Sequence, residues 1–185
     1  MDHKDNNNIV MKEGISYANL ELNKSEIQEI SIKINEKFQN EAKCAGALSI
    51  YFDEKYLTDK WGGVSSCGVK GDAWEMAKNV LNKDGEYVFK DKKVSSTDNI
   101  NSLIESGDIL GIYYEGSNYK NQAEAELGSY YYTHVGLVVG KTDSGEPIIV
   151  HYLNNQLIFE PINNLINEED YALVAGFRTS NSCVA

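Results

Sequence analysis

The sequence predicts an α+β domain in which N-terminal helices pack on an antiparallel β-sheet. Three observations carry that expectation. Apolar residues recur at helical spacing through the first half of the chain. From about residue 85 the period shortens to that of strands. Helices come first and strands second, without the alternation that βαβ units require.

Residues 1–24 are polar and weakly patterned and read as a lead-in. Residues 25–38, SEIQEISIKINEKF, place Ile27, Ile30, Ile34 and Phe38 at helical spacing, with Ser25 and Gln28 fitting a capping box. Ile30, Ile32 and Ile34 also alternate as in a strand, but the longer spacing favours a helix. AKCAGALSIYFDEKYL predicts a second helix starting near Cys44, with Leu48, Tyr51 and Phe52 as its buried stripe. The Gly-rich DKWGGVSSCGVKG reads as a loop. A third helix has the clearest signals. Asp72 can cap it, Glu75 holds the capping-box position, and Ala73, Met76, Ala77, Val80 and Leu81 share one face.

After Asn82-Lys83-Asp84-Gly85, EYVFK is a short strand candidate, Asn99–Ser106 a helical turn and DILGIYY a strong strand. Residues 115–129 form a polar insertion long enough to be a lid or specificity loop. Strands follow at HVGLVVG, PIIVHYL, QLIFEPI and YALVAGFR, and Asn154-Asn155 suits a tight hairpin turn. Residues 25–180 are expected to form one domain, followed by a tail at 181–185.

Composition narrows the function. With 185 residues the chain can bury a proper core. Its net charge of −11 makes it a poor partner for phosphate backbones, so no nucleic-acid partner is expected. No apolar run is long enough for a transmembrane segment, and the Asn-rich N-terminus shows no secretory signal. Cys44, Cys67 and Cys183 lack the spacing of a zinc site, so no metal is expected.

Three residues stand out as chemistry. Cys44, at a predicted helix N-terminus, would feel the positive end of the helix dipole and is expected to be acidified. Unpaired N–H groups there can hold an oxyanion. The bland alternative is a small buried hydrophobe. His134 and His151 lie in consecutive strands, 10 and 7 residues from a turn near Ser144, so one hairpin can set them side by side. His134 then suits a general base and His151 a residue that orients it, where a core role would explain either alone.

These stretches carry a resemblance. KCAGALSIYF resembles the D-C-S-G-F-V nucleophile helix of NlpC-type cysteine peptidases. ESGDIL resembles that family's x-x-G-D-L strand entry, THVGLVVG its H-V-G-I-Y-x-G base strand, and EPIIVHYL its x-x-I-H-A strand. Lys43 stands where the family has Asp, and the C-A start is similar to CHAP-type and bacterial-competition amidases. The resemblance implies a papain-like NlpC-type fold, with Cys44 as nucleophile, His134 as base and His151 as orienting residue. It implies a hydrolase that cuts amide bonds in peptidoglycan stem peptides or cross-links and needs no cofactor. A lysin or antibacterial effector of this kind is made in the cytoplasm and acts outside it, and an effector would have a cognate immunity protein as partner.

Several alternatives stay open. Cys67 is a rival thiol, better placed for a structural role or for pairing with Cys183. Asn181-Ser182-Cys183 is similar to the cysteine motif of the permuted lecithin:retinol acyltransferase-like proteins, but too few residues follow it to form a helix. An acyltransferase or deamidase acting on lipid or a host protein would use the same dyad. A non-enzymatic binding domain would retain only the fold. Trp61 and Trp74 read as packing, with a cleft border as the alternative for Trp61. Tyr130–Tyr132 suit a cleft mouth or a half-buried strand end, and Glu124, Glu126 and His3 read as surface or tail.

Overall fold

The computed structural model describes residues 8–39, 43–56, 67–95, 99–167 and 171–180. Helices α1 (Lys24–Phe38), α2 (Cys44–Tyr56) and α3 (Ala73–Leu81) precede most of a seven-stranded sheet, which is the α+β order. The strands are β1 (Ile9–Met11), β2 (Glu86–Phe89), β3 (Ile109–Tyr114), β4 (His134–Lys141), β5 (Pro147–Leu153), β6 (Gln156–Pro161) and β7 (Tyr171–Arg178). Their spatial order is β1-β6-β5-β4-β3-β7-β2.

The sheet is mixed, which corrects the expected antiparallel one. β1 runs parallel to β6, with Ile9 opposite Leu157 and Met11 opposite Phe159, while the other pairings are antiparallel. The polar lead-in thus contributes an edge strand. Its chain then crosses β4, where Leu20 bridges Gly140. A Cβ at Gly140 would stand 2.1 Å from the Asn19 carbonyl oxygen, so only glycine admits this approach.

The cap of α1 is Asn23 rather than Ser25. The Glu26 N–H donates to the Asn23 side chain at 2.9 Å, and the Asn23 N–H donates to the Glu26 carboxylate at 3.0 Å. Ile27, Ile30 and Ile34 are buried and Ile32 is 47% exposed, the pattern of a helix and not of a strand. α2 packs against β4 and β5 and touches both α1 and α3. Besides Leu48, Tyr51 and Phe52 it buries Ala45, Ala47 and Ile50, so it is a central helix rather than an amphipathic one. Asp72 occupies the N-cap position of α3 without a side-chain cap bond, and Ala73, Met76, Ala77 and Val80 turn inward.

Each face of the sheet carries an apolar cluster. The larger joins α1, α2 and α3 to Val135, Leu137, Val150, Tyr152 and Phe159. The smaller joins Leu110, Ile112, Val138, Ile149 and Leu173 to Ile100, Ile104 and a short helix that the sequence did not announce, Ile162–Ile166. Pro161 forms its N-cap residue and ends β6, its ring fixing the backbone for the change of direction.

Two loops follow expectation. Asn154 and Asn155 both adopt left-handed φ, 52° and 61°, as a two-residue primed hairpin turn requires. Asn99–Ser106 holds one helical turn, closed by the Ile104 N–H on the Ile100 carbonyl at 3.2 Å. The Gly107-Asp108 strand entry proves to be a clamp. Asp108 is buried, and Arg178 donates to it from Nε at 2.7 Å and from Nη2 at 2.8 Å. The Glu105 N–H adds a third bond at 2.8 Å.

Candidate active site

Cys44 is the first residue of α2, and its thiol lies against the start of β4, donating to the Thr133 carbonyl at 3.8 Å. His134 opens β4. Both residues line one cleft of about 240 Å³, together with Trp74, Tyr119, Tyr152 and Asn154. In this resting arrangement the thiol proton is held by backbone and not by an imidazole.

The two histidines meet as the hairpin argument expects. His134 Nε2 and His151 Nδ1 are 2.8 Å apart, with the rings edge to face at 88°. A register shift between Val138 and Gly140 moves the pairing by one residue, which brings His134 and His151 to the same face as diagonal neighbours. The other nitrogen of His151, Nε2, makes a short hydrogen bond to Glu160 Oε2 on β6. All three side chains are buried.

Glu160 was missed by sequence reasoning, although a signal was present. The Asn154-Asn155 turn pairs Leu153 with Gln156 and fixes His151 opposite Ile158 and Ile149 opposite Glu160. Glu160 is therefore the diagonal neighbour of His151 on the same face, within reach of a long side chain. That face also carries Ile149 and Val138, whereas α2 packs on the other. Thiol and imidazole thus reach the start of β4 from opposite sides of the sheet, and the strand end is where one cleft can expose both.

Electrostatics correct one expectation. Burial pushes the Cys44 thiol up from an ordinary 9.0 to about 11, against the weaker opposing pull of the Val135, Ala45 and Cys44 N–H groups. The helix N-terminus does not win here because desolvation outweighs it. Burial, and then the neighbouring His151, push His134 down to about 3. The resting pair is therefore a neutral thiol and a neutral imidazole.

The 115–129 insertion contains a helix at Lys120–Leu127 and runs into a 3-10 turn at Gly128–Tyr130. Tyr119, just before that helix, is the residue the insertion brings to the cleft, whereas Tyr131 and Tyr132 are buried away from it. Trp74 faces Tyr119 with ring centroids 5.7 Å apart, so it shapes the cleft as well as packing. Lys43 Nζ lies 2.9 Å from Tyr119 Oη and ties this side of the cleft to the residue before the thiol. Tyr152 and Thr133 line the cleft, and the Tyr152 hydroxyl and Thr133 Oγ1 are buried without a hydrogen-bond partner among the described residues.

Cys67 is buried and disulfide-bonded, and Cys44 is free. Cys183, Trp61 and His3 lie outside the described residues. Among the described residues no group of three His, Cys, Asp or Glu side chains is arranged to hold a metal ion, and no helix is long and apolar enough to cross a membrane. Glu124 and Glu126 are exposed. Comparisons with protein-family models, curated proteins and solved structures found no match.

Proposed function

We propose that this protein is a cysteine hydrolase of the papain-like NlpC type that cleaves amide bonds in peptidoglycan peptides. The observation that carries the reading is that His134, hydrogen-bonded to the buried His151, lines the same cleft as Cys44 at the start of α2. A pair of imidazoles explains a folded core poorly unless one of them has work at the cleft.

His134 Nε2 is taken by His151, so Nδ1 is the nitrogen left to serve the cleft. On substrate binding the Cys44 proton passes to His134 Nδ1 and the sulfur attacks the amide carbonyl. The oxyanion is held by N–H groups at the start of α2, where among the described residues Ala47 is the first to bond back, to the Lys43 carbonyl at 3.1 Å. The imidazolium gives its proton to the leaving amine, and water then cleaves the thioester. Because both groups rest neutral, His134 acts as a general base during attack rather than as half of a standing ion pair. The disulfide at Cys67 agrees with a protein that works outside a reducing cytoplasm. For an effector, a cognate immunity protein would be the partner covering the cleft.

The test is mass spectrometry of muropeptides incubated with the wild type and with Cys44→Ala. Release of new stem-peptide fragments by the wild type alone is expected. Unchanged peptidoglycan in both reactions sinks the cell-wall reading. Transfer of an acyl group to an added amine or lipid instead would point to an acyltransferase.

A further inference from the structure

We infer that Glu160 is a positioning residue that sets the tautomers of both histidines and so leaves the lone pair of His134 Nδ1 free for the thiol proton. The inference rests on the hydrolase reading for its consequence, but not for its geometry.

A carboxylate accepts hydrogen bonds and donates none. Glu160 Oε2 meets His151 Nε2, so the ring must carry its proton there. A doubly protonated His151 would donate from Nδ1 and put the His134 proton on Nδ1, whereas in a neutral ring the single N–H leaves His151 Nδ1 as an acceptor. That acceptor faces His134 Nε2 at 2.8 Å, so His134 carries its own proton on Nε2. Its Nδ1 is then bare. One carboxylate on β6 thus determines, through two rings, which nitrogen of the first ring can accept a proton.

The reverse assignment shows why the charge matters. A protonated Glu160 would donate to His151 Nε2, His151 Nδ1–H would donate to His134 Nε2, and His134 Nδ1 would carry a hydrogen. A ring in that state cannot take a proton from Cys44. In the active arrangement no proton need travel along the chain. The Cys44 S–H bond breaks, a bond forms at His134 Nδ1, and the two existing N–H donors hold the resulting cation against the Glu160 carboxylate. The location fits such a role. Glu160 is buried, has no place on the cleft wall, and makes its bond with a histidine rather than with lysine or arginine.

The experiment compares wild type, Glu160→Gln and Glu160→Leu by long-range proton–nitrogen NMR of the histidine rings, alongside kcat and KM for peptide cleavage. In the wild type both His134 and His151 should show protonated Nε2 and unprotonated Nδ1. Gln retains an oxygen acceptor and should keep those tautomers with a loss in kcat under about 10-fold. Leu should scramble them and lower kcat on the order of 100-fold with KM unchanged, the scale of a lost general base. Unaltered tautomers in a folded Glu160→Leu protein overturn the inference, as does a wild type with protonated His134 Nδ1. Should Leu not fold, the wild-type and Gln spectra still decide. Because the ring assignments need no substrate, the expected tautomers in a protein that cleaves nothing uphold the positioning role and reject the hydrolase reading. Cleavage with the opposite tautomers does the reverse.

Discussion

Alkylation of Cys44 tests the resting state most directly. The perturbation is pH, from about 6 to 11, with iodoacetamide as the electrophile and Cys44→Ser as the blank. A thiol raised from 9.0 to about 11 has roughly 100-fold less thiolate than an ordinary one at neutral pH. A more basic thiolate is also the better nucleophile, which with a Brønsted slope near 0.4–0.5 recovers roughly 10-fold for that two-unit rise. The net expectation is alkylation on the order of 10-fold slower than a free thiol at pH 7.5, rising without a plateau toward pH 11. Intact-mass spectrometry reads the rate, and Cys67, held in its disulfide, does not compete. A plateau with a midpoint below about 8 would refute the reasoning and establish a standing thiolate–imidazolium pair. His134→Ala sharpens the contrast. It should change alkylation by less than about 3-fold yet cut hydrolysis by 100-fold or more, because the base acts only as the amide is attacked.

Three further outcomes are expected. Folded His134 protonates near 3 and its unfolded counterpart near 6.5, so between those values the unfolded chain binds the extra proton. Its contribution to stability is therefore present above about pH 6.5 and lost toward pH 3, at up to about 1.4 kcal/mol per pH unit. Denaturant titrations from pH 7 to 4 should show a shallower decline for His134→Gln, and equal slopes would reject the assignment. Asp108→Ala removes a buried carboxylate that accepts three hydrogen bonds and leaves the half-buried Arg178 with the Leu103 carbonyl and Glu105 nearby, a loss of about 3 kcal/mol. For a chain of this size calorimetry should register a drop in Tm of roughly 6–12 °C, and a drop under 2 °C contradicts the clamp. Tyr152→Phe deletes a buried hydroxyl that lacks a partner among the described residues, so Tm should hold or rise, while on the proposed hydrolase reading kcat/KM falls by roughly 5- to 10-fold, about 1 kcal/mol for a bond to substrate. Unchanged kinetics would assign that hydroxyl no role at the cleft.

Most long elements were legible because periodicity is a local property. α1, α2, α3 and the strands from EYVFK to YALVAGFR fall where apolar spacing and turn residues place them. Illegible features depended on distant partners. Ile9–Met11 is a strand only because β6 offers an open edge, and three residues show no period. Asn23 displaced Ser25 as the cap because the helix starts a turn's fraction earlier, and both residues are good caps. At the site, Cys44, His134 and His151 could be read from residue type and placement, and the hairpin joins the two histidines. The sign of the thiol's shift could not, since it depends on how deeply β4 and the cleft walls desolvate the sulfur. Glu160 was a matter of register. Reading the Asn154-Asn155 turn forward to β6, as it was read for neither histidine, would have found it.

The order in which the site comes together follows from where its parts lie along the chain. His151 and Glu160 are 9 residues apart and His134 and His151 are 17 apart, whereas the Cys44–Thr133 contact spans 89. Closing the longest of these loops costs about 1.5 kcal/mol more than closing the 17-residue one, by the logarithmic dependence on length. The histidine-bearing hairpins can therefore pair locally before α2 docks, although the ribosome delivers the cysteine first. A nascent chain holds an unshielded thiol until β4 exists, at the ordinary acidity that burial later removes. Pulse-labelled hydrogen exchange should find β4, β5 and β6 amides protected ahead of those in α2, so that Cys44 is the last component to enter the cleft.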